Sequence, residues 1–308
     1  MEHRLNGSGK LSRKLLTILM LAAMPTLGHA ADNSIYIDQS GANSTISITQ
    51  DGYGNVVKGI NSGNTTPATI YGINNQVTVN QVGLNNTLSL GVQSTTSGTT
   101  VTPDGTVSVP TINYSVTGNS ATAVINSNNA GSASSASNYI NVDQTGDSAN
   151  LNVNVTGANN AIKVVTSGGD NNSVVSTVKG NNNLQNINMV GDSNSATLTQ
   201  GSTALGASNG NTIGIATNGV SNTFNVTQSG GTQGNTVSVT GYAGAVSYGD
   251  SNTVTIAQSG GNDNTTVLAM TGSSNTIGVT QTAAAGNNVA NLKVNGSGSS
   301  ITVNQHNR

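Results

Sequence analysis

One pattern constrains this chain more than any other feature: Asn-x-aliphatic-x-aliphatic-x-Gln, repeated along its length. It reads NSIYIDQ at 33–39, NQVTVNQ at 75–81, NYINVDQ at 138–144 and NSATLTQ at 194–200, where Ala196 takes the first aliphatic place. It returns as NTFNVTQ at 222–228, NTVTIAQ at 252–258 and NTIGVTQ at 275–281. Serine heads two further copies, STISITQ at 44–50 and SSITVNQ at 299–305. Cousins without the glutamine lie between them: NTLSLGV at 86–92, NAIKVVT at 160–166, NTIGIAT at 211–217 and NTVSVTG at 235–241. Turn-rich stretches such as SGAN, TGDSAN, GVSN and GSSN follow, and unit starts often fall about eleven residues apart. Period-two alternation held in register with a recurring turn reads as strands and turns, not as low-complexity disorder.

The parity of the cassette carries the structural information. Its head asparagine and terminal glutamine fall on the same face as the aliphatic residues, so carboxamides point toward what should be a dry interior. A stack of coils resolves this. Coils about 4.8 Å apart place each inward residue over its equivalent one coil away, and two facing sheets lie about 10 Å apart. A side-chain amide both donates and accepts, so identical amides hydrogen-bond along such a stack. Buried carboxamides are tolerable only when satisfied in this way. Caps on exposed turns would account for single amides but not for the whole series. The fold class expected is therefore all-β: a two-strands-per-coil β-solenoid, a cross-β stack of strand-turn-strand repeats. Roughly ten coils would make a slab on the order of 50 Å long. The ladder residues expected are Gln39, Gln50, Gln81, Gln144, Gln200, Gln228, Gln258, Gln281 and Gln305, with the strand-start residues Asn33, Asn75, Asn138, Asn222, Asn252 and Asn275.

Residues 1–30 read as a secretory signal peptide. Arg4, Lys10, Arg13 and Lys14 precede the apolar run LLTILMLAAMPTL, and Gly28 and Ala30 supply a small-residue cleavage site before Ala31. The run is too short to span a bilayer and Pro25 interrupts it. The remaining 31–308 form one repeat domain with insertions near 56–74, 93–110 and 126–137. In the second of these, TVTPDGTVSV reads as a small hairpin turning at Pro-Asp-Gly.

Composition excludes several classes of function. From Ala31 onward five basic residues (Lys58, Lys163, Lys179, Lys293, Arg308) stand against ten aspartates and no glutamate, a formal charge of 5 − 10 = −5. That balance has the wrong sign for nucleic acid. With no cysteine, an exported chain relies on no disulfide. His306 is the one histidine after the leader, and no serine has a partnered base, so no enzyme is expected. The Asp-bearing turns (QDGYG, GGDNN, VGDSN) fit no calcium-loop spacing, and neither a metal nor a cofactor is expected. A transmembrane barrel would need a lipid-facing apolar band and aromatic girdles, which the scarce aromatics do not provide. Asp38 and Asp143 fall on the outward parity, as do many threonines, but Gly214, Gly278, Asn141 and Asn225 interrupt their rows.

The first cassette starts two residues after the cleavage site and the last ends three residues before Arg308. Neither end shows a polar cap. Uncapped solenoids present open strand edges that pair with other chains, so the expectation is end-to-end polymerisation. The alternative is a monomeric cell-surface solenoid acting as an adhesin or ligand-binding passenger.

The stretches SIYIDQSGANSTISITQDGYGN, VTVNQVGLNN, INVDQTGDSAN, FNVTQSGGTQGN and VTIAQSGGNDN resemble the curlin repeat, whose Ser-x5-Gln-x-Gly-x-x-Asn core joins a strand-end glutamine to a Gly/Asn turn. Curlins are the subunits of curli, the extracellular amyloid fibres of bacterial biofilms. The resemblance implies export, nucleated assembly into cross-β fibres, and a role in adhesion and biofilm matrix. It also implies that the nine cassette glutamines and their asparagines carry assembly. The partners implied are further copies of the chain, a nucleator or second curlin-like subunit, and an outer-membrane secretion pore. The chain departs from curlins in length and in having no Gly-rich segment between its leader and first repeat.

Overall fold

The computed structural model describes residues 17–22, 32–61, 63, 65–94, 100–102, 105–107, 110–129, 137–201, 210–229, 234–241, 249–260, 263–284 and 287–307. Its strands, numbered in chain order, fall into two long sheets. Sheet 1 has 11 strands, beginning β1 (Thr17–Ala22), β4 (Thr45–Tyr53), β7 (Gln76–Leu84), β11 (Thr111–Thr117) and β13 (Tyr139–Thr145). It continues through β15 (Ala161–Ser167), β17 (Leu184–Val190), β19 (Thr212–Asn218), β21 (Thr236–Gly241), β23 (Thr265–Thr271) and β25 (Val289–Asn295). Sheet 2 has 13 strands. Its first rungs are β2 (Ser34–Ile35) with β3 (Ile37–Ala42), β5 (Val56–Gly59) with β6 (Ala68–Ile73), then β8 (Thr87–Ser94), β12 (Thr122–Asn128) and β14 (Asn150–Thr156). The rest are β16 (Ser173–Lys179), β18 (Ser195–Gly201), β20 (Thr223–Ser229), β22 (Thr253–Ser259), β24 (Thr276–Ala283) and β26 (Ser300–Asn307).

Successive strands of the stack alternate between the sheets, so each coil holds one strand of each. Every pairing between coils is parallel. The fold is the all-β, two-strands-per-coil solenoid that the cassette parity implies. The aliphatic positions stack as the alternation requires. Ile46, Val77, Ile112, Ile140 and Ile162 form one continuous buried column of sheet 1. Gln185 interrupts that column, which resumes at Ile213, and Ser176 of the facing sheet donates its hydroxyl to the Gln185 Oε1 across the core. Two polar residues at aliphatic positions thus meet where both strands break the pattern, although the Gln185 Nε2 stays buried without a partner among the described residues.

The insertions are narrower than the sequence suggests. Within 56–74, β5 and β6 are two halves of one rung, both paired with β8, so only the segment between them leaves the sheet. Likewise β12 keeps its register as far as Asn128, inside the insertion expected from 126; residues 130–136 of that insertion lie outside the described residues. TVTPDGTVSV does form a hairpin, with β9 (Thr100–Thr102) antiparallel to β10 (Gly105–Val107); its Pro-Asp turn lies outside the described residues. Most of the expected leader also lies outside them. Its segment Thr17–Ala22 pairs in parallel with the edge of β4.

Two adjacent glycines separate the demands of a tight turn. Gly168 has φ +79°, and a Cβ there would meet nothing within 4 Å. Gly169 makes no such conformational demand, yet its Cβ would stand 1.8 Å from the carbonyl oxygen of Gly191 in the next coil. Left-handed backbone costs an L-residue about 1–2 kcal/mol, whereas the second clash must part the coils. Thermal unfolding should therefore show Gly168→Ala lowering stability by about 1–2 kcal/mol and Gly169→Ala by clearly more. Equal losses would mean that the coils are not in close contact at this corner.

Among the described residues the largest fully buried side chain is Tyr114, stacked between Val79 and Val142 with its hydroxyl unpartnered there. Burial pushes its phenol above the ordinary tyrosine range. Because the folded value exceeds the unfolded one, this contribution to stability is whole below about pH 10 and is lost as pH rises beyond it. Tyr114→Phe removes the unmet hydroxyl at almost constant shape. It should raise stability by about 1 kcal/mol and flatten the alkaline fall, as urea titrations at pH 8 and pH 11 will check.

Candidate functional site

The inward carboxamides form two kinds of ladder. At the end of each sheet 2 strand the register places Gln200, Gln228, Gln258, Gln281 and Gln305 in one column. Each amide donates to the oxygen of the next: Gln200 Nε2 to Gln228 Oε1 at 3.1 Å, Gln228 to Gln258 at 2.8 Å, Gln258 to Gln281 at 2.8 Å and Gln281 to Gln305 at 2.7 Å. The second hydrogen of each Nε2 goes sideways, to the first residue of the sheet 1 strand in the same coil. The acceptors are the carbonyls of Leu184, Thr212, Thr236, Thr265 and Val289, at 2.8–3.2 Å. One amide thereby ties its own coil across the core and the next coil below.

The strand-start asparagines make a different ladder. In sheet 2 the backbone N–H groups of Asn194, Asn222, Asn252, Asn275 and Ser299 donate to the Oδ1 of Asn172, Asn194, Asn222, Asn252 and Asn275 respectively, at 2.8–3.0 Å. The Nδ2 groups then reach the turn carbonyls of the following coil, as from Asn222 to Gly249 at 2.9 Å and from Asn275 to Gly296 at 2.8 Å. Sheet 1 repeats the arrangement from Asn138 through Asn160 and Asn183 to Asn288. Asn33 heads the first rung of sheet 2, accepting from the N–H of Asn55 at 3.0 Å. Each asparagine therefore clamps its turn to the one below it.

Not every expected glutamine meets another. Gln50 donates to Gln81 Oε1 at 2.8 Å, but the next residue in that sheet 1 column is Val116. Gln144 lies between Val116 and Thr166, and both its amide atoms are buried without a partner among the described residues. Gln39 faces Ile70 and donates only to the carbonyl of Gly41, at 3.4 Å. The expectation of glutamine-on-glutamine stacking is corrected at these two positions: their neighbours in the register are not amides. Asn75 shows a related break. Its Oδ1 has no partner, because Pro110 heads the next coil and carries no N–H to donate.

Sequence reading missed two sets of ladder residues. Asn55, Asn86, Asn160, Asn172, Asn183, Asn211, Asn235, Asn264 and Asn288 are buried strand heads as well. The usable signal was an asparagine before any alternating stretch, whatever stands at its far end. The turn aspartates also do more than face water. Asn119 donates its N–H to Asp147 Oδ1 at 2.7 Å, Asp147 to Asp170 at 2.8 Å, Asp170 to Asp192 at 3.0 Å and Val220 to Asp250 at 2.8 Å. Among the described residues, no group of three or more His, Cys, Asp or Glu side chains is arranged to hold a metal ion.

The outward threonines form only a partial row. Thr253 pairs with Thr276, but Thr255 meets Gly278 and Thr280 meets Ala257. The polar continuity of this molecule is internal. Replacing an interior ladder member should therefore cost more than replacing the last one. Gln258→Leu removes the amide contacts to Gln228 and Gln281 and is expected to lower stability by about 2 kcal/mol. Gln305→Leu, on the outermost rung, should change it by less than about 0.5 kcal/mol. Urea unfolding of freshly desalted chain will separate the two.

Comparison with known proteins places this geometry. Residues 249–282 match the family model of the curlin associated repeat. That span holds β22, β23 and all but the last residue of β24, with the Gln258–Gln281 contact and the heads Asn252 and Asn275. No curated protein and no solved structure matches the chain. Over residues 249–282 the chain is similar to the curlin associated repeat, and within that span Gln258 donates to Gln281 and the N–H of Asn275 to Asn252 from one coil to the next.

Proposed function

We propose that this chain is a secreted structural protein that polymerises end to end into curli-like amyloid fibres, serving adhesion and biofilm matrix. The observation that carries the reading is the glutamine column from Gln200 to Gln305, which runs to the open edge of β26 with its donors all pointing the same way. A ladder of that kind gains one more hydrogen bond, and the sheet gains one more rung, for each coil added. Parallel, in-register sheets of this kind are also the repeating element of cross-β fibres. The curlin associated repeat at 249–282 supports the same reading. So do the signal-peptide features of residues 1–30, which fit export to the cell surface. The partners of such a fibre are further copies of the chain, a nucleating curlin-like subunit and an outer-membrane secretion pore. No catalytic role follows from any of these features.

A second reading, a monomeric surface solenoid that binds a ligand, draws on a cleft on the outer face of sheet 2. Ile60 and Tyr71, both more than two-fifths exposed, border it together with Gly91, Gln93 and Asn126. Incubation of the chain without its leader distinguishes the two. Fibre diffraction is expected to give meridional spacing near 4.8 Å and equatorial spacing near 10 Å. A chain that elutes as a monomer after days at high concentration would refute the fibre and favour the ligand-binding solenoid.

A further inference from the structure

The two ends of sheet 2 are complementary to each other. Along the sheet one backbone contact recurs: the first residue of each strand donates its N–H to the carbonyl of the residue heading the next rung. Ser34 donates to Asn55, Thr223 to Asn252, Thr253 to Asn275 and Thr276 to Ser299, each at 2.8 Å. Among the described residues no strand continues the series beyond β26, and none precedes β2 and β3. Incomplete burial of core aliphatics is concentrated at these ends. Ile301 and Val303 are half-buried, while Ile277 and Val279, one rung inward, are 1% exposed. At the other end Ile35 and Ile37 are half-buried, whereas Val57 and Ala68 are fully buried.

We propose that β26 of one copy pairs in parallel with β2 and β3 of a second copy in a single register, Gln305 against Gln39, Val303 against Ile37 and Ile301 against Ile35. This rests on the fibre reading and adds its polarity and alignment. Gln39 occupies the same column as the sheet 2 glutamines, separated from Gln200 by Ile70, Val92, Ser127, Val155 and Val178. Within one chain it has no amide neighbour in that column. Across the joint it takes the place that each following glutamine takes in the ladder. A slip of two residues would set Gln305 against Ile37 or Gly41, neither of which has an amide, and a slip of one would turn every aliphatic side chain of one strand outward. In sheet 1 the same joint brings β25 to the edge of β4, which Thr17–Ala22 occupies here. The joint therefore closes on chains that have lost the leader. Strands β2 to β26 make all their remaining pairings without that segment.

The sequence contains no cysteine, so introduced thiols report without background. Asp38 and Asn304 are exposed on the outward face and lie opposite one another in the proposed joint. Paired residues on adjacent parallel strands are about 4.8 Å apart, within disulfide reach. Fibres of Asp38→Cys/Asn304→Cys chain beginning at Ala31, oxidised and then dissolved, should run as a covalent ladder on a non-reducing gel. Mass spectrometry should assign the bonds as 38–304. Asp38→Cys/Thr302→Cys, two residues out of register, should stay uncrosslinked. Bonds of 38–38 or 304–304, or equal crosslinking of the 302 variant, would overturn the register while leaving the fibre intact. Failure of the unsubstituted chain to form fibres would remove the fibre and the joint together.

A second variant reads the same joint without cysteines. Gln39→Glu puts a carboxylate against Gln305 in a closing interface. Elongation should slow by about tenfold or more at pH 7 and recover at about pH 3, where the carboxyl is neutral. An unchanged rate at pH 7 would place Gln39 outside the joint.

Discussion

The structure depends on the requirement that a carboxamide buried in a dry interior find both a donor and an acceptor. A neighbour of the same kind one rung away meets that need, because the parallel register repeats its position at the strand spacing. Gln228, Gln258 and Gln281 show the complete arrangement: one hydrogen to the next amide, one to the coil's own facing strand, and the oxygen accepting from above. Where the neighbour is missing the amide is left with an unmet atom. Gln200 Oε1 faces Val178, Gln144 faces Val116 and Thr166, and Asn75 Oδ1 faces a proline. These orphans each cost roughly 1–3 kcal/mol, and they lie among the first rungs or at the top of the long ladder.

The molecule is therefore uneven along its axis. From Gln200 to Gln305 sheet 2 carries an unbroken amide column, and the curlin associated repeat falls within that half. The earlier coils accommodate a split rung at β5 and β6, the β9–β10 hairpin, a buried tyrosine and two alanines, Ala121 and Ala149, where asparagine heads would stand. In a stack whose coils contact only their neighbours, stability adds up locally. The irregular half is therefore where local opening would start.

The corners add a third set of contacts with the opposite sense. The asparagine heads accept from the coil below, whereas the turn aspartates accept from the coil above, as Asp170 does from Asp147. Each turn is thus held from both directions while its carboxylates stay at the surface. Among the described core aliphatics of sheet 2, Ile35, Ile37, Ile301 and Val303, on its first and last rungs, are only partly buried.

The fold class and the inward direction of asparagine and glutamine were legible because both rest on short-range facts. Alternation sets which side chains share a face, and a turn-forming triplet sets where each strand stops. Which amide meets which was not legible beyond the regular half. Consecutive cassettes enter opposite sheets, so the glutamines of 33–39 and 44–50 never share a column although their sequences are nearly alike. Contact partners instead lie 23 to 31 residues apart, a separation that changes with every insertion. The tertiary structure alone decided that Gln281 pairs with Gln305 while Gln39 faces an isoleucine. An amide's partner is set by the register of the strand one coil away, and register depends on all the chain between.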